Sequence, residues 1–381
     1  MLDRPLEPKI MTYLFAKASK KRVPLSCAFE ITPLCNMSCK MCYVKLDKKQ
    51  MDSIGKQVTV DEWLELAKQA KEMGVLYILL TGGEPFLHKD FKRLYIELSK
   101  MGFVIAINSN GTLIDEEIVS WLSKYPPMRM NITLYGASDE TYGRLCNNPR
   151  GFTQVTNAVK LMKEAGIRVK FNASMTPYNI DDVDQMYEIA KDLGVQINVA
   201  TYMFPPIRRD KDSVGYNERF NEEDAGKYRA YTDFKKYSED VFKYRAKEIM
   251  KCKNNQQCVA MDLDDDVKGS NLRCRAGKST FWMTWDGKMM TCGIMDKPIA
   301  YPFKVGLKEA WNSIVEQTEK LILPKECSVC DKKHICQVCG AVCYTESGDI
   351  SKKPEYVCKT VDEYIKATEE LYNKEYGDKE V

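Results

Sequence analysis

Residues 35–42 read CNMSCKMC, so that Cys35, Cys39 and Cys42 stand in the spacing CxxxCxxC. Three thiolates are one fewer than a closed four-ligand metal site uses, and an open ligand position is typical of a centre that binds a reacting molecule. An iron–sulfur cluster held by three thiolates leaves one iron free in the same way. The stretch therefore predicts a reactive metal centre. The spacing alone is also compatible with a partial zinc site or with a chance arrangement.

A second motif, LYILLTGGEP at residues 76–85, places a glycine-rich turn after a short apolar run that is typical of a buried strand. Its glycines, Gly82 and Gly83, allow backbone to approach a bound ligand closely. A cysteine loop after one predicted strand and Gly-Gly-Glu-Pro after the next resembles the radical S-adenosylmethionine (SAM) enzymes. The pairing of the two motifs favours that family over a partial zinc site.

The resemblance implies that Cys35, Cys39 and Cys42 hold a 4Fe–4S cluster whose free iron binds the amino and carboxylate groups of SAM. In that family, electron transfer from the cluster cleaves SAM to methionine and a 5′-deoxyadenosyl radical, which abstracts hydrogen from the substrate. The protein then contributes the placement of the reactants and the exclusion of water.

By the same resemblance, the turn Gly82-Gly83-Glu84 lies against the methionine amino group of SAM. There a backbone carbonyl or the Glu84 carboxylate accepts a hydrogen bond from the ammonium. We therefore expect a bulky residue at Gly83 to block SAM and to leave the cluster, which is held by a different loop, intact.

Further SAM-binding residues are predicted from position and resemblance. Asn110 and Ser174 lie just past predicted strand ends, where parallel sheets bind ligands. Thr133 ends a predicted strand at a place where the family often has a serine that touches SAM. Arg144 is a candidate carboxylate clamp through its planar guanidinium, or else a surface salt-bridge arginine. Met41 stands where the family prefers an aromatic residue near the adenine, and methionine also packs on aromatic rings.

The first half of the chain alternates short apolar runs with amphipathic helical patterns, which predicts repeated βα units and a parallel sheet. Six strands are expected, at residues 26–32, 75–80, 103–108, 130–134, 168–172 and 196–201. Six units are too few to close an eight-stranded barrel. The predicted fold class is α/β, with an open, partial (β/α)6 TIM-like barrel, which is also the fold of the family, followed by a small cysteine-rich domain.

Eight cysteines in the C-terminal third form a second group: Cys274, Cys292, Cys327, Cys330, Cys336, Cys339, Cys343 and Cys358. CxxC pairs are also typical of zinc sites. Behind a radical SAM domain, however, the group resembles the SPASM extension, which carries two auxiliary 4Fe–4S clusters and so brings the expected total to three. The resemblance implies that the distal cluster uses Cys327, Cys330, Cys336 and Cys358. For the proximal cluster it implies Cys274, Cys292 and either Cys339 or Cys343, because the chain departs from the family pattern CxxCx5Cx3C by having both.

Other cysteines are assigned more simply. Cys27, within the first strand, is expected to be a buried small hydrophobe. Cys252 and Cys258 either supply an extra ligand to the proximal cluster or have no such role, and the second interpretation is preferred. The remaining cysteine, Cys146, has no predicted function.

Four regions are expected within the 381 residues. They are an N-terminal arm (1–24), the partial barrel (25–205), a charged helical linker or insertion (206–268), and the auxiliary-cluster domain with a C-terminal helix (269–381). The dense charge of the third region favours a solvated linker over a substrate-binding insertion. The tail is expected to form one polar helix over residues 361–376.

Composition excludes several classes of function. The 57 basic and 54 acidic residues give a net charge of +3 without a long basic block, so neither nucleic acid nor an anionic membrane is an expected partner. No apolar run of 18 residues and no signal-peptide pattern occurs, and we expect a cytoplasmic protein. Fifteen cysteines in such a protein favour soft-metal ligation over disulfides, and only two histidines are present to serve as ligands.

The expected function is radical SAM modification of a peptide or small protein, such as a cross-link or an oxidation, because peptide substrates dominate the SPASM resemblance. Action on a small molecule, such as a tetrapyrrole or a sugar-derived intermediate, is the alternative among enzymes. A non-catalytic iron–sulfur electron carrier is the alternative outside enzymes, although a carrier needs no open iron. The expected partners are the peptide substrate and a low-potential electron donor of the flavodoxin or ferredoxin type.

Overall fold

The computed structural model describes residues 10–205, 218–251, 272, 274–328, 330–336 and 338–377. Its strands are β1 Ser26–Glu30, β2 Tyr77–Thr81, β3 Val104–Ser109, β4 Arg129–Thr133, β5 Val169–Ser174, β6 Gln196–Ala200, β7 Thr280–Met283, β8 Met289–Met290 and β9 Ile299–Ala300. They form one sheet in the order β6-β5-β4-β3-β2-β1-β7-β8-β9. The six predicted strands are confirmed, and their open parallel arrangement is the partial barrel that the sequence predicts.

Helices follow the strands of the barrel and continue through the C-terminal region. They are α1 Ile10–Lys21, α2 Lys48–Ile54, α3 Val60–Glu72, α4 Phe91–Lys100, α5 Glu116–Lys124, α6 Asp139–Cys146, α7 Gly151–Glu164, α8 Val183–Asp192, α9 Glu222–Lys236, α10 Glu239–Lys251, α11 Pro302–Val305, α12 Leu307–Glu319, α13 Lys325–Ser328, α14 Lys333–Cys336, α15 Gly340–Ser347 and α16 Glu355–Tyr376. Short 3-10 turns occur at Pro85–Leu87 and Ile180–Asp182.

The sheet extends beyond the barrel into the cysteine-rich region. Strand β7 pairs in parallel with β1, matching Cys27 to Phe281, and the short strands β8 and β9 then add in antiparallel fashion. Asp286 and Gly287 lie in the connection between β7 and β8. The barrel and the C-terminal region therefore share one sheet, which fixes the C-terminal region beside β1 and the cysteine loop that follows it.

The two faces of the barrel strands differ in polarity, since successive side chains alternate across a strand. On the outer face, residues such as Ile78, Leu80, Ile105 and Ile107 pack in the main hydrophobic core. The inner face instead carries polar side chains, among them Glu30, Asn108, Asn131 and Asn172. Asn108 and Asn131 are register partners, and the Asn131 Nδ2 donates to the Asn108 Oδ1 at 2.8 Å. The interior of the open barrel is thus built to contact polar ligands rather than to form a dry core.

The charged segment 206–268 is more than a solvated linker in its described part. Helix α9 buries Ala225, Gly226 and Ala230 and packs along the C-terminal helix α16. Gly226 makes the close approach possible, because a Cβ there would lie 2.6 Å from the Thr360 carbonyl oxygen. The interpretation of a solvated linker is therefore wrong for α9, whose small buried residues are outnumbered by the charged residues of its exposed side.

The predicted polar tail helix is also corrected. Helix α16 begins at Glu355 and therefore includes Cys358. It buries one side of its length, with Val361, Tyr364 and Ile365 in a second hydrophobic cluster. Cys252 and Cys258 lie outside the described residues. Within the described ranges, no helix has both the length and the apolarity needed to cross a membrane.

Replacing Gly226 by valine should separate α9 from α16. Valine has a better intrinsic helix propensity than glycine, so any loss of stability must come from the contacts with the Thr360 carbonyl and the Tyr364 amide, both within 2.7 Å of the new Cβ. We expect the free energy of unfolding to fall by about 1–3 kcal/mol, as overpacking of a tight contact costs. Chemical denaturation of Gly226→Val, compared with the unchanged protein, measures this fall in the free energy of unfolding.

The control is Lys227→Val, which introduces the same side chain one residue away on the exposed side of α9. Its unfolding midpoint should stay close to that of the unchanged protein. Equal losses for the two variants would contradict the packing of α9 on α16.

Candidate functional site

A cavity of about 390 Å³, partly open to solvent, lies at the carboxyl ends of the barrel strands. The strand ends contribute Thr81, Asn108, Thr133, Ser174 and Ala200, one from each of β2 to β6. Carboxyl ends of parallel strands are where barrels and open α/β sheets bind their ligands. The predicted contacts Thr133 and Ser174 are brought together here, and so are Gly82, Gly83, Asn110 and Met41.

The three cysteines of the CxxxCxxC loop line the same cavity. Helix α6 fixes this loop in place, because backbone carbonyls of its last turn accept hydrogen bonds from N–H groups of the loop. The Ser38 N–H donates to the Cys146 carbonyl at 2.9 Å, and the Lys40 N–H donates to the Leu145 carbonyl at 3.0 Å. These two bonds bracket Cys39, so the position of that thiol is fixed by the end of a helix about 100 residues further along the chain.

Each thiol of the loop has hydrogen-bond donors near its sulfur. The Met37 N–H donates to the Cys35 Sγ at 3.4 Å, and the Lys45 N–H donates to the Cys42 Sγ at 3.3 Å. Burial raises the pKa of Cys35 to about 12, and the bond from Met37 opposes that shift. The pKa of Cys39 is lowered, first by the neighbouring Cys146 thiol and also by Tyr135. Such donors favour the thiolate form that a metal ligand must adopt.

Cys146 is a residue that the sequence did not single out. Its side chain has no exposed surface, and burial is the main cause that raises its pKa. Its thiol lies next to Cys39 but is separated from it by 107 residues, a distance at which sequence spacing carries no signal.

The three thiols of the loop offer the donor set of an iron–sulfur cluster with one open iron. In the described part of the chain, no three Cys, His, Asp or Glu side chains are close enough together to hold one metal ion. A 4Fe–4S cluster binds each thiolate through a different iron and needs thiols spread over a wider area of one wall. The arrangement of Cys35, Cys39 and Cys42 around the cavity fits such a cluster.

The glycine turn packs directly on the backbone that leads into the cysteine loop. The Gly83 N–H donates to the Thr32 carbonyl at 2.6 Å, and the Glu84 N–H donates to the Leu34 carbonyl at 2.9 Å. A Cβ on Gly83 would lie 2.6 Å from the Leu34 carbonyl carbon and 2.8 Å from the Pro33 oxygen. The expectation that a larger residue at Gly83 leaves the cysteine loop intact is wrong, because the two backbones are already in contact.

Glu84 does not reach the cavity, which corrects the prediction that its carboxylate could accept from SAM. The side chain is completely buried and accepts from the Ser109 hydroxyl at 2.9 Å, the Asn110 N–H at 2.7 Å and the Phe86 N–H at 3.2 Å. Burial raises the pKa of Glu84 to about 7 against the lowering effect of these bonds. The Glu84 side chain therefore links the turn after β2 to the end of β3 by hydrogen bonds.

Asn110 contacts both Glu84 and the cysteine loop. Its Nδ2 donates to the Asn36 Oδ1 at 2.9 Å and lies 3.6 Å from the Cys35 Sγ. Its Oδ1 accepts from the Thr112 hydroxyl at 2.7 Å. Asn110 thus touches the loop as well as the cavity, and its contact with SAM stays a prediction.

Arg144 is not brought to the cavity, and its predicted role as a carboxylate clamp is corrected. It lies in α6 with an exposed side chain, and its Nη2 donates to the Tyr178 carbonyl at 2.8 Å. Its position in the last turn of the helix points the guanidinium to a neighbouring loop. Arg144 is instead a surface arginine, as the alternative interpretation predicts, but it bonds to a backbone carbonyl rather than to a carboxylate.

An apolar part of the cavity lining, which we call the apolar wall, was not predicted. It consists of Tyr202, Met203 and Phe204, which follow β6, and of Ile294 from the C-terminal region. The Tyr202 hydroxyl donates to the Glu346 carboxylate at 2.6 Å. Because Glu346 lies in α15, the apolar wall is anchored on the cysteine-rich region.

Arg219 completes this anchor. Its guanidinium forms an ion pair with Glu346, with two N–O distances of 2.6 and 3.0 Å, and stacks on the Tyr356 ring at 3.8 Å. Only 12% of the Arg219 side chain and 5% of the Glu346 side chain are exposed. Loss of one partner of such a buried pair is strongly penalised, so the pair fixes the wall against α15.

The C-terminal cysteines fall into two neighbourhoods. Burial raises the pKa of Cys339, and the nearby thiols of Cys274 and Cys292 raise it further. Burial also raises the pKa of Cys336, to about 11, and there the contributing thiols are Cys358 and Cys327.

Cys330 belongs to the second neighbourhood, since Cys327 and Cys330 both raise the pKa of Cys358 after burial. Cys343 has no exposed surface and lies near Cys327, Cys339 and Cys336. Away from both neighbourhoods, Cys27 packs in the main core, as a small hydrophobe does.

Comparisons with known proteins agree with this geometry. Residues 29–190 match the Radical SAM superfamily. The AdoMet-dependent heme synthase of Methanosarcina barkeri is 23% identical over 345 residues, covering 87% of this chain and 96% of that protein. The sporulation killing factor maturation protein SkfB of Bacillus subtilis is 30% identical over 197 residues, which cover 52% of this chain and 45% of that protein.

Solved structures show the same fold over nearly the whole length. Streptococcus suis SuiB bound to the precursor peptide SuiA superposes with a TM-score of 0.66 at 17% identity, over 94% of this chain and 82% of that one. The enzyme anSMEcpe with bound AdoMet and a Cp18Cys peptide gives 0.66 at 18% identity, over 93% and 99%. With the match over residues 29–190 and the cavity that the two motifs share, this part of the chain is a radical SAM domain, and the chain as a whole has the fold of the SPASM enzymes SuiB and anSMEcpe.

Proposed function

We propose that this radical SAM enzyme holds its 4Fe–4S cluster at Cys35, Cys39 and Cys42 and modifies a peptide or small protein. The observation that carries the proposal is the mixed lining of the cavity. Three thiols and the glycine turn line it together with the apolar side chains of Tyr202, Met203, Phe204 and Ile294. When bound, the cluster and SAM together supply the 5′-deoxyadenosyl radical.

The chain's own residues bind and orient the reactants. The backbone carbonyls of Gly82 and Gly83 accept from the SAM ammonium, since Glu84 is buried below them. The Thr133 and Ser174 hydroxyls and the Asn110 amide offer hydrogen bonds to the polar parts of SAM. Met41 packs on the adenine. The glycine turn sets the distance between these groups and the thiols, because its backbone is bonded to Thr32 and Leu34.

The apolar wall supports a substrate with an apolar or aromatic side chain beside the reacting carbon. A side chain that contacts Tyr202 and Phe204 is desolvated, and radical chemistry benefits from the exclusion of water. Peptides carry such side chains, and two relatives with this fold were solved with bound peptides. The partly open cavity also admits a chain that continues on both sides of the modified residue.

We further propose that the C-terminal cysteines hold two auxiliary 4Fe–4S clusters. Cys327, Cys330, Cys336 and Cys358 supply one, and Cys274, Cys292 and Cys339 contribute to the other. Their grouping supports this division, and it favours Cys339 over the buried Cys343 for the second cluster. A low-potential donor of the flavodoxin or ferredoxin type supplies the electrons.

A tetrapyrrole substrate is the second candidate. It is favoured by the relative from Methanosarcina barkeri, which aligns over 96% of its length and is described as a heme synthase. The polar inner face of the barrel, with Asn108, Asn131 and Asn172, would suit the carboxylate groups of such a substrate.

Substrate class is tested by co-expressing the enzyme anaerobically with small peptides encoded beside its gene and measuring their masses. A mass change in one peptide, absent with a Cys42→Ala variant, supports the proposal. Formation of 5′-deoxyadenosine in step with conversion of an added iron tetrapyrrole, with every peptide unchanged, would replace it by the second candidate.

Iron content should report three clusters. Anaerobically reconstituted protein is expected to bind about 12 iron and 12 sulfide per chain, as three cubane clusters require. Replacing Cys35, Cys39 and Cys42 together by alanine should remove about one third of the iron and all SAM cleavage. Cys27→Ala serves as the control, because Cys27 packs in the core, and it should keep both. Stoichiometric zinc in the isolated protein is the result that contradicts the assignment.

Alanine at Gly83 should cost both the cluster and SAM binding. Its Cβ would overlap the Leu34 carbonyl and displace the segment that leads into Cys35. We expect iron at the SAM-binding cluster to fall together with SAM affinity. Gly55→Ala is the matched control, because a Cβ there meets only the Asp286 Cβ at 3.7 Å, an ordinary contact. A Gly83→Ala protein with full iron and weak SAM binding would show that the turn touches SAM without positioning the loop.

Cys339 and Cys343 should behave differently. Cys339→Ala is expected to lose iron absorbance from one auxiliary cluster, because Cys339 neighbours Cys274 and Cys292. Cys343→Ala is expected to keep full iron and turnover with a small loss of thermal stability, as removal of a buried small side chain causes. Comparable iron loss in both variants would show that both cysteines are ligands.

A further inference from the structure

A second pocket, of about 580 Å³, lies at the opposite end of the barrel from the SAM cavity. The amino ends of β4 to β6 and the loops before them form it. We call it the basic pocket and define it by Arg129, Lys163, Arg168 and Lys170, which line it together with the apolar side chain of Met128. Its lining contains no acidic residue.

The four cations have no ion-pair partner among the described residues. Among the residues that the structure describes, none of the four takes part in a salt bridge, whereas exposed lysines elsewhere do, as Lys48 does with Asp52. The Arg129 Nε donates to the Asn131 Oδ1 at 2.8 Å, and the Lys163 Nζ donates to the Gly194 carbonyl at 2.9 Å.

The remaining donors of the basic pocket are available to a ligand. Burial lowers the pKa of Lys170, and the positive charges of Arg129 and Lys236 lower it further, with no carboxylate acting in the other direction. Like charges held together in a concave site repel each other, and a bound anion removes that repulsion.

The SAM cavity does not explain this charge. On β5, Lys170 lines the basic pocket and Ser174 lines the SAM cavity. Four residues of extended strand separate them by about 13 Å. A docked electron donor at the basic pocket would therefore face the end of the barrel away from the cysteine loop.

We propose that the basic pocket binds a small anion with two or more phosphate groups, of the nucleoside diphosphate or triphosphate class. Several fixed cations around one concave site match several linked phosphates, and arginine offers the planar donors that phosphate oxygens accept from. Met128, which is 40% exposed at the pocket, supplies an apolar contact for a base. A pocket of about 580 Å³ has room for a compact ligand but not for a long polyanion.

The test is titration of the full-length, reconstituted protein with ATP and, separately, with inorganic phosphate, without added divalent metal and at constant ionic strength. Isothermal calorimetry should show saturable binding of ATP at one site, at least tenfold tighter than that of phosphate. Lys170→Ala and Arg168→Ala should each weaken ATP binding about tenfold, with unchanged iron content and thermal stability.

Lys308→Ala is the matched control. It removes the same charge from an exposed lysine of α12 that has no salt bridge in the described part of the chain, and it should leave ATP affinity unchanged. Absence of saturable ATP binding, or equal weakening by Lys308→Ala, would overturn the proposal. Tighter binding of a single-stranded RNA oligomer than of ATP, lost in Lys170→Ala, would overturn it as well, because the surface would then be a nucleic-acid site.

Discussion

The contact between the glycine turn and the segment before Cys35 is the constraint on which the site depends. Two backbones run so close together there that no side chain fits between them, and the Gly83 and Glu84 amides bond to the Thr32 and Leu34 carbonyls. The thiols and the glycine turn are therefore one unit, although they stand on different loops. Glu84 extends this unit to β3 by accepting from Ser109 and Asn110. Helix α6 extends it to Cys39 through the Leu145 and Cys146 carbonyls.

The cysteine-rich region contributes to the cavity as well as to the auxiliary thiols. Strand β7 adds to the edge of the barrel sheet beside β1, and Ile294 follows shortly after it on the cavity wall. Helix α15 carries Glu346, whose buried pair with Arg219 also holds the Tyr202 hydroxyl. The cysteine-rich region is thereby linked to the shape of the apolar wall through packed elements.

Local patterns in the sequence predicted the parts of this structure that depend on local rules. Strand positions followed from apolar runs, and α3 begins at a capping box of Thr59 and Glu62, which is a pattern of the same local kind. Gly82, Gly83, Asn110, Thr133, Ser174 and Met41 meet at one cavity because they follow or precede the carboxyl ends of parallel strands.

Features that depend on distant partners were missed. Hydrogen-bond donors at the end of the next strand decide whether the Glu84 side chain faces the cavity or the interior. The loop at Tyr178 decides where the Arg144 side chain lies. The proximity of Cys146 to Cys39 and the pairing of β7 with β1 join segments more than 100 residues apart, and no spacing rule reaches that far. The buried side of α9 was hidden because alanine and glycine carry little hydrophobic signal among its charges.

The central claim is that SAM binds to an iron left open by Cys35, Cys39 and Cys42. Electron paramagnetic resonance of the reduced protein, with Cys274, Cys327 and Cys336 replaced so that the auxiliary signals are removed, tests it most directly. The account predicts a single 4Fe–4S signal whose g-values shift when SAM is added. A signal that SAM leaves unchanged, in protein that still holds a full cluster at the loop, would contradict it.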